Sequence, residues 1–127
     1  MLPVFVYGTL RSGEAGFAEL GLGELVETLG PATVAGTLYD LGEYPGALLG
    51  SGAIISGELL LPRDEAVLAL LDAYELFDPA DPAGSEYRRV QTATKDGGIK
   101  IWIYVYNFPL ENARLIPGGD WLQRPLP

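Results

Sequence analysis

The apolar residues of this chain fall into short runs that predict β-strands, with one amphipathic helix between them. Each run is rich in β-branched, aromatic or alternating apolar side chains, and glycine, proline or a polar turn bounds it. The last two runs flank Lys95-Asp96-Gly97-Gly98, a sequence that predicts a hairpin, and residues 101–106 are apolar on both faces, which predicts a central strand. The predicted strands are residues 4–7, 33–39, 53–61, 87–94 and 99–108.

The helix follows the third predicted strand. Apolar residues recur at i, i+3, i+4 and i+7 from Val67 to Tyr74, which gives the helix one apolar face. Pro62 is expected to be its first residue, and Asp64 and Glu65 are expected in the first turn, where they complement the helix dipole. Strands on both sides of one helix predict a single α+β domain over residues 1–127, with a largely antiparallel sheet.

Composition narrows the classes of function. The net charge of −9 opposes the phosphate backbone of nucleic acids and the surface of anionic membranes, so neither is expected as a partner. No apolar run reaches the roughly 20 residues that a membrane-spanning helix needs, and no basic leader precedes the first strand, so a cytoplasmic location is expected.

The absence of histidine and cysteine from all 127 residues restricts the chemistry further. Ser-His-Asp triads, Cys-His pairs and ordinary zinc sites all need one of these two residues. The two lysines flank the predicted hairpin turn and are expected to be solvated. Acid/base chemistry would therefore depend on a carboxylate.

The loop after the first strand is a candidate anion site. Because Gly8 tolerates an unusual φ and lets a ligand approach the main chain closely, this loop can present consecutive N–H groups to a carboxylate or to a developing oxyanion. The alternative is a strand that simply turns. The loop residues are Tyr7, Gly8, Thr9 and Leu10.

Glu75 is the candidate acid/base group. It ends the predicted helix at the margin of the apolar face, beside Leu68 and Leu71, whereas Asp72 and Glu65 are expected to point to solvent. Apolar neighbours disfavour the charged form of a carboxylate, so the pKa of Glu75 should be raised toward neutrality. The alternative is that Glu75 is only a boundary residue.

Tyr87-Arg88-Arg89 forms a second polar cluster, which could orient an anionic substrate or pair with Glu75. Strand alternation places Tyr87 and Arg89 on one face and Arg88 on the other. Surface arginines paired with some of the 17 acidic residues are the alternative. Glu58 is a further carboxylate candidate, although it is expected to face outward opposite Leu59.

Taken together, these segments resemble the gamma-glutamylcyclotransferase-like (AIG2-like, gamma-glutamylamine cyclotransferase) family across nearly the whole chain. The order of the motifs carries the resemblance. They are Val4-Phe5-Val6-Tyr7-Gly8-Thr9-Leu10-Arg11-Ser12-Gly13, Gly36-Thr37-Leu38-Tyr39-Asp40-Leu41-Gly42 with Tyr44-Pro45, Gly57-Glu58-Leu59, Leu71-Asp72-Ala73-Tyr74-Glu75 and Tyr87-Arg88-Arg89-Val90.

The resemblance implies a small mixed β-barrel with flanking helices and a cavity at one end. It also implies a reaction that needs no cofactor, in which a γ-glutamyl amine or dipeptide cyclises to 5-oxoproline and releases the amine. Glu75 would be the catalytic acid/base, residues 7–10 would bind the glutamyl group, and no metal would be needed. From the second polar cluster, Tyr87 and Arg88 are expected to bind the substrate. One departure is Leu76, since the family commonly has glycine after the catalytic glutamate, and its Cβ could alter the backbone at the helix end.

Two other classes of function remain open on these residues. The same fold could bind a γ-glutamyl or other small anionic ligand without turning it over, or it could serve as a partner-binding protein with a vestigial pocket. The leaving amine and the oligomeric state do not follow from the sequence.

Overall fold

A computed structural model describes residues 1–125 and contains six strands and two α-helices. Short 3₁₀ turns at Leu22–Glu24, Pro82–Gly84 and Trp121–Gln123 connect some of these elements. The strands are β1 (Val4–Val6), β2 (Val26–Asp40), β3 (Pro45–Pro62), β4 (Tyr87–Ala93), β5 (Lys100–Tyr106) and β6 (Arg114–Ile116), and the helices are α1 (Ala15–Glu19) and α2 (Glu65–Tyr74).

The six strands form one curled sheet, a half-barrel, in the order β4-β5-β1-β3-β2-β6. β1 and β5 are parallel and every other neighbouring pair is antiparallel, which confirms the mixed, largely antiparallel α+β class. β4 and β5 pair as the predicted hairpin, and β5 lies inside the sheet between β4 and β1.

The β2–β3 hairpin extends well beyond the predicted strands. Its register runs from Val26 opposite Pro62 to Asp40 opposite Pro45, with two irregularities along the way. Pairing between the two strands supplies hydrogen bonds to backbone groups in segments whose side chains are polar or exposed, so strand structure continues past the apolar runs that predicted it.

α2 begins later than predicted. Pro62 ends β3 instead of opening the helix, and Asp64 is the N-cap, with its carboxylate accepting a hydrogen bond of 3.1 Å from the Val67 N–H. A capping carboxylate satisfies an N–H group that has no partner within the helix, and it overrides the preference of proline for the first helical position. Glu65 lies in the first turn as expected.

β1 is buried on both faces and separates two apolar groups of the core. Phe5 and Tyr7 belong to one group, which also contains the buried Trp121, whereas Val4 and Val6 belong to the other, together with Leu68 and Leu71 of α2. This packing explains the continuous apolar run at the start of the chain. It also anchors α2 next to the end of β1, where the functional site lies.

Candidate functional site

A cavity of about 300 Å³ opens where β1 ends and α2 ends. It brings together three regions that are distant in sequence: the loop after β1, the carboxyl end of α2, and aromatic residues of β4 and β5. The lining residues are Phe5, Val6, Tyr7, Gly8, Thr9, Leu10, Glu43, Tyr44, Pro45, Tyr74, Glu75, Leu76, Glu86, Tyr87 and Tyr104.

Glu75 is the C-cap of α2 and lines this cavity, as expected for the candidate acid/base. Burial, and secondly the negative charge of Glu86, raise the pKa of Glu75 from its ordinary value of 4.5 to about 8. At pH 7 the carboxyl group is therefore mostly protonated, yet close enough to its pKa to exchange protons with a bound ligand.

The helix end that presents Glu75 closes with a Schellman motif. The Phe77 N–H donates to the Asp72 carbonyl at 2.9 Å and the Leu76 N–H donates to the Ala73 carbonyl at 3.2 Å. Leu76 has φ +54°, and it is the one residue other than glycine in the described chain with a positive φ. The leucine thus takes the left-handed backbone conformation that glycine would favour, so its Cβ does not divert the chain at this helix end.

Position 8 requires glycine because a neighbouring side chain packs closely against it, and not because of its backbone angle. Its φ is not positive, whereas a Cβ at this position would lie 2.6 Å from Cγ and 2.7 Å from Cδ of Pro45. The expectation that Gly8 supplies an unusual φ is therefore wrong. Glycine instead lets the loop pack directly on the proline that begins β3.

Three N–H groups of the loop donate no backbone hydrogen bond among residues 1–125. Two of its backbone carbonyls accept hydrogen bonds: the Arg11 N–H donates to the Gly8 carbonyl, and the Phe17 N–H donates to the Thr9 carbonyl. The N–H groups of Gly8, Thr9 and Leu10 donate none of these bonds. These N–H groups are the candidate donors to a carboxylate or an oxyanion.

Three contacts hold the loop in place. The Thr9 and Tyr74 hydroxyls lie 3.0 Å apart, which ties the loop to the residue before Glu75. On the other side, the Glu58 carboxylate accepts hydrogen bonds from the N–H and the hydroxyl of Ser12. Arg11 pairs with Asp120 at 3.0 Å. Glu58, considered above as a catalytic candidate, thus serves to fix the loop.

Three buried tyrosines line the cavity, and their hydroxyl groups stay protonated. Burial is the first cause that raises the pKa of Tyr7, Tyr87 and Tyr104, and the charge of Glu75 raises all three further. The Tyr7 hydroxyl donates to the Tyr104 carbonyl at 2.5 Å, and the Tyr87 hydroxyl donates to the Pro45 carbonyl at 2.6 Å. These bonds fix the positions of the Tyr7 and Tyr87 rings at the cavity.

Asp72 does not point to solvent as the helical periodicity predicted. Asp72 is buried, and Arg89 donates to its carboxylate from Nε at 2.8 Å and from a terminal nitrogen at 3.3 Å. The Tyr104 hydroxyl donates to the same carboxylate at 2.7 Å. Periodicity failed here because the curled sheet covers this side of α2 and supplies both partners. Arg89 therefore pairs with Asp72 and not with Glu75.

Tyr87 lies at the cavity, but Arg88 does not. Arg88 is exposed on β4 and is absent from the cavity lining, as alternation with the buried Tyr87 requires. Sequence reasoning instead missed Glu43, Tyr44 and Glu86, which do line the cavity. Glu43 and Tyr44 lie in the turn next to the Tyr-Pro motif, and that motif was the available signal.

Residues 1–125 contain neither a cluster of metal ligands nor a membrane-spanning helix. No group of three or more histidine, cysteine, aspartate or glutamate side chains there could hold a metal ion. No helix in the same range is long and apolar enough to cross a membrane.

Comparison with known proteins gives the same picture. The family described as "Gamma-glutamyl cyclotransferase, AIG2-like" matches residues 4–123. The gamma-glutamylcyclotransferase family protein YtfP of Escherichia coli K12 is 38% identical over 124 residues, which cover 97% of this chain and 98% of YtfP. The gamma-L-glutamyl-butirosin B gamma-glutamyl cyclotransferase of Niallia circulans is 34% identical over 109 residues, which cover 84% of this chain and 68% of that protein.

Solved structures share the fold. The solution structure of E. coli ytfP has a TM-score of 0.69 at 33% identity and covers 96% of this chain and 97% of its own. The crystal structure of an aig2-like protein from Mus musculus has a TM-score of 0.66 at 22% identity, covering 100% of this chain and 86% of its own.

Proposed function

The chain belongs to the gamma-glutamyl cyclotransferase, AIG2-like, family, and on that premise we propose that it cyclises a γ-glutamyl group to 5-oxoproline and releases an amine. Glu75 is the acid/base catalyst. Tyr7, Gly8, Thr9 and Leu10 bind the glutamyl group, and Tyr87 forms part of the wall that orients it. The name of the Niallia circulans relative supports this reaction class.

One observation carries the proposal: the cavity that the loop lines also contains a glutamate whose pKa is raised to about 8. The α-amino group of a peptide ordinarily has a pKa of about 7.7 to 8.0, and the free α-carboxylate of a γ-glutamyl group raises the pKa of its α-ammonium further. The raised pKa of Glu75 is closer to that of the α-ammonium than an ordinary glutamate pKa is, which lowers the free-energy cost of passing a proton between them.

The reaction balances with this chain's residues alone. Glu75 takes a proton from the α-ammonium, and the freed nitrogen attacks the γ-carbonyl carbon to form the new C–N bond of the lactam. Glu75 gives this proton to the leaving nitrogen, and the bond from that nitrogen to the carbon breaks. The attacking nitrogen also loses a second proton, which the released amine takes up, so the lactam keeps one N–H and the amine leaves as an ammonium. No electrons are transferred, so the reaction requires no redox cofactor.

The loop after β1 supplies the electrostatic part of the mechanism. Attack on the γ-carbonyl moves negative charge onto its oxygen, and N–H groups already aimed at that charge stabilise the transition state more than the ground state. The N–H groups of Gly8, Thr9 and Leu10 meet this need, because the protein does not use them in its own loop hydrogen bonds.

The test is release of 5-oxoproline from a panel of γ-glutamyl amines and dipeptides. The wild-type protein should turn over at least one of them, and Glu75→Gln should lower turnover by about 10²- to 10⁴-fold, the usual effect of losing an acid/base group. Glutamine keeps the volume of glutamate, so substrate affinity should survive. Glu65→Gln, an exposed position on the same helix, is the matched control.

Two outcomes would contradict the proposal. If Glu75→Gln kept more than about a tenth of the wild-type turnover, Glu75 would not be the base. If the wild-type protein bound γ-glutamyl compounds without releasing 5-oxoproline from any of them, it would be a binding module of the same fold.

A further inference from the structure

The charged side chains that line the cavity are all carboxylates. They come from three separate parts of the chain: Glu43 from the turn between β2 and β3, Glu75 from the end of α2, and Glu86 from the segment before β4. No lysine or arginine of the described chain lines the cavity. Like charges oppose each other's ionisation, and the charge of Glu86 contributes to the raised pKa of Glu75.

The arginines closest in sequence to the lining residues do not offset this charge. Arg11 pairs with Asp120 at 3.0 Å, and Arg89 pairs with Asp72 at 2.8 Å. Arg88 is exposed and outside the cavity. A second carboxylate on a ligand would therefore meet carboxylates and no cation, which is electrostatically unfavourable.

The outer part of the cavity combines these carboxylates with an aromatic face. Glu43 and Tyr44 are exposed there, and the Tyr44 hydroxyl donates to the Glu86 carboxylate at 2.8 Å. The Tyr44 ring centroid lies 6.3 Å from that of the buried Tyr87. Carboxylates beside tyrosine rings attract an ammonium group through ion pairing and through the negative faces of the rings.

We infer that the amine released by this protein carries a second, cationic group and no carboxylate, as an aliphatic diamine does. Glu43, Glu86 and the ring of Tyr44 recognise that cation. This inference rests on the proposed cyclotransferase function and specifies its substrate class.

The two halves of such a substrate fit two different parts of the cavity. The γ-carbonyl of the glutamyl half meets the N–H groups of Gly8, Thr9 and Leu10, and its α-ammonium meets Glu75. The second ammonium, on the amine half, extends toward Glu43 and Glu86. A γ-glutamyl dipeptide would instead place its terminal carboxylate beside these two glutamates, so dipeptides are poor substrates.

A matched series of three γ-glutamyl compounds tests the inference. The amine halves are 1,4-diaminobutane, butylamine and 4-aminobutanoate, which have similar lengths and are cationic, neutral and anionic at their far ends. Wild-type protein is assayed for 5-oxoproline release, and the affinity of each compound for the Glu75→Gln protein is measured by calorimetry. Both kcat/KM and affinity should fall in the order cation, neutral, anion.

Variants of the two outer carboxylates identify the groups responsible. A partly exposed ion pair changes an equilibrium constant by about 1.5- to 5-fold, so Glu43→Gln and Glu86→Gln should each reduce the preference for the cation over the neutral compound by that factor. Glu27→Gln removes the same charge from an exposed position on β2 outside the cavity, and it should leave the preference unchanged.

The two measurements separate the possible failures. Equal affinities, tighter binding of the anion, or no binding of any compound to the Glu75→Gln protein would overturn the inference about the amine. Selective binding of the cation without 5-oxoproline from any compound would refute the cyclotransferase function and leave the charge selectivity standing.

Discussion

The hydroxyl groups of Thr9 and Tyr74 lie 3.0 Å apart and join the loop after β1 to the last residue of α2. The contact spans 65 positions of the chain and lies next to Glu75. A Cβ on Gly16 would lie 2.5 Å from the Tyr74 hydroxyl and 2.7 Å from the Thr9 carbonyl, so glycine leaves room for the contact. The contact thus holds the loop, the proposed anion site, against the end of α2 that carries Glu75.

We expect Thr9→Val and Tyr74→Phe each to lower the free energy of unfolding by about 0.5 to 1.5 kcal/mol, the net value of one hydrogen bond. Because both changes remove the same bond, the double variant should lose less than the sum, with a coupling of about 0.5 kcal/mol or more. Urea unfolding of the wild type, the two single variants and the double variant measures this coupling. Strict additivity would show that the two hydroxyls do not interact.

The pH dependence of catalysis should report Glu75. A general base acts in its deprotonated form, so kcat/KM should rise with pH up to about 8, the raised pKa of Glu75. Since the charge of Glu86 is one cause of that raised pKa, Glu86→Gln should move the rise to lower pH. Titration of the substrate contributes equally to the pH profiles of the wild type and of Glu86→Gln, so the shift between the two profiles reports the pKa of Glu75. Superimposable profiles would contradict this assignment.

The same carboxyl group should make stability depend on pH. Its pKa is higher in the folded protein than in the unfolded chain, so its stabilising contribution is complete below about pH 4.5 and is lost as the pH rises toward 8. Glu75→Gln does not titrate, so it should match the wild type near pH 5 and exceed its free energy of unfolding at pH 9 by up to a few kcal/mol. Thermal unfolding at both pH values tests this. A constant difference between the two proteins would exclude it.

Leu76 offers a site for stabilisation. A left-handed backbone conformation costs a residue other than glycine roughly 1 to 2 kcal/mol, and Leu76 is 63% exposed, so little packing offsets that cost. Leu76→Gly should relieve it, against the extra freedom that glycine has in the unfolded chain. The expected net gain is about 0.5 to 1 kcal/mol, or a few degrees in Tm. Leu76→Ala keeps the strain and is the control, and an equal gain from alanine would exclude backbone strain as the cause.

Removing Asp72 alone from its ion pair with Arg89 should lower the free energy of unfolding more than replacing both residues. Their side chains are only 9% and 15% exposed, so Asp72→Ala leaves a largely buried guanidinium without a partner, at about 3 to 5 kcal/mol. Adding Arg89→Met removes that charge while keeping an apolar group against Trp102, whose ring centroid lies 4.2 Å from the guanidinium carbon. Urea unfolding should find the double variant more stable than Asp72→Ala alone, and the reverse order would refute this account.

The sequence by itself determined the secondary structure near the site. Local periodicity identified β1, the β4–β5 hairpin, α2 and the position of Glu75 at its end, because alternation and helical spacing depend only on neighbouring residues. The order of the motifs indicated the family, and the comparisons confirm it.

Only the tertiary structure decided which groups meet. The curl of the sheet buried Asp72 against Arg89, brought Pro45 onto Gly8, and placed Glu43 and Glu86 at the cavity while leaving Arg88 outside it. These relationships depend on strand register and on the closure of loops between distant segments, which one-dimensional spacing does not encode. The apolar neighbours of Glu75 predicted that its pKa would be raised. The second cause of the raised pKa is the charge of Glu86, which acts only because the fold brings the two carboxylates to one cavity.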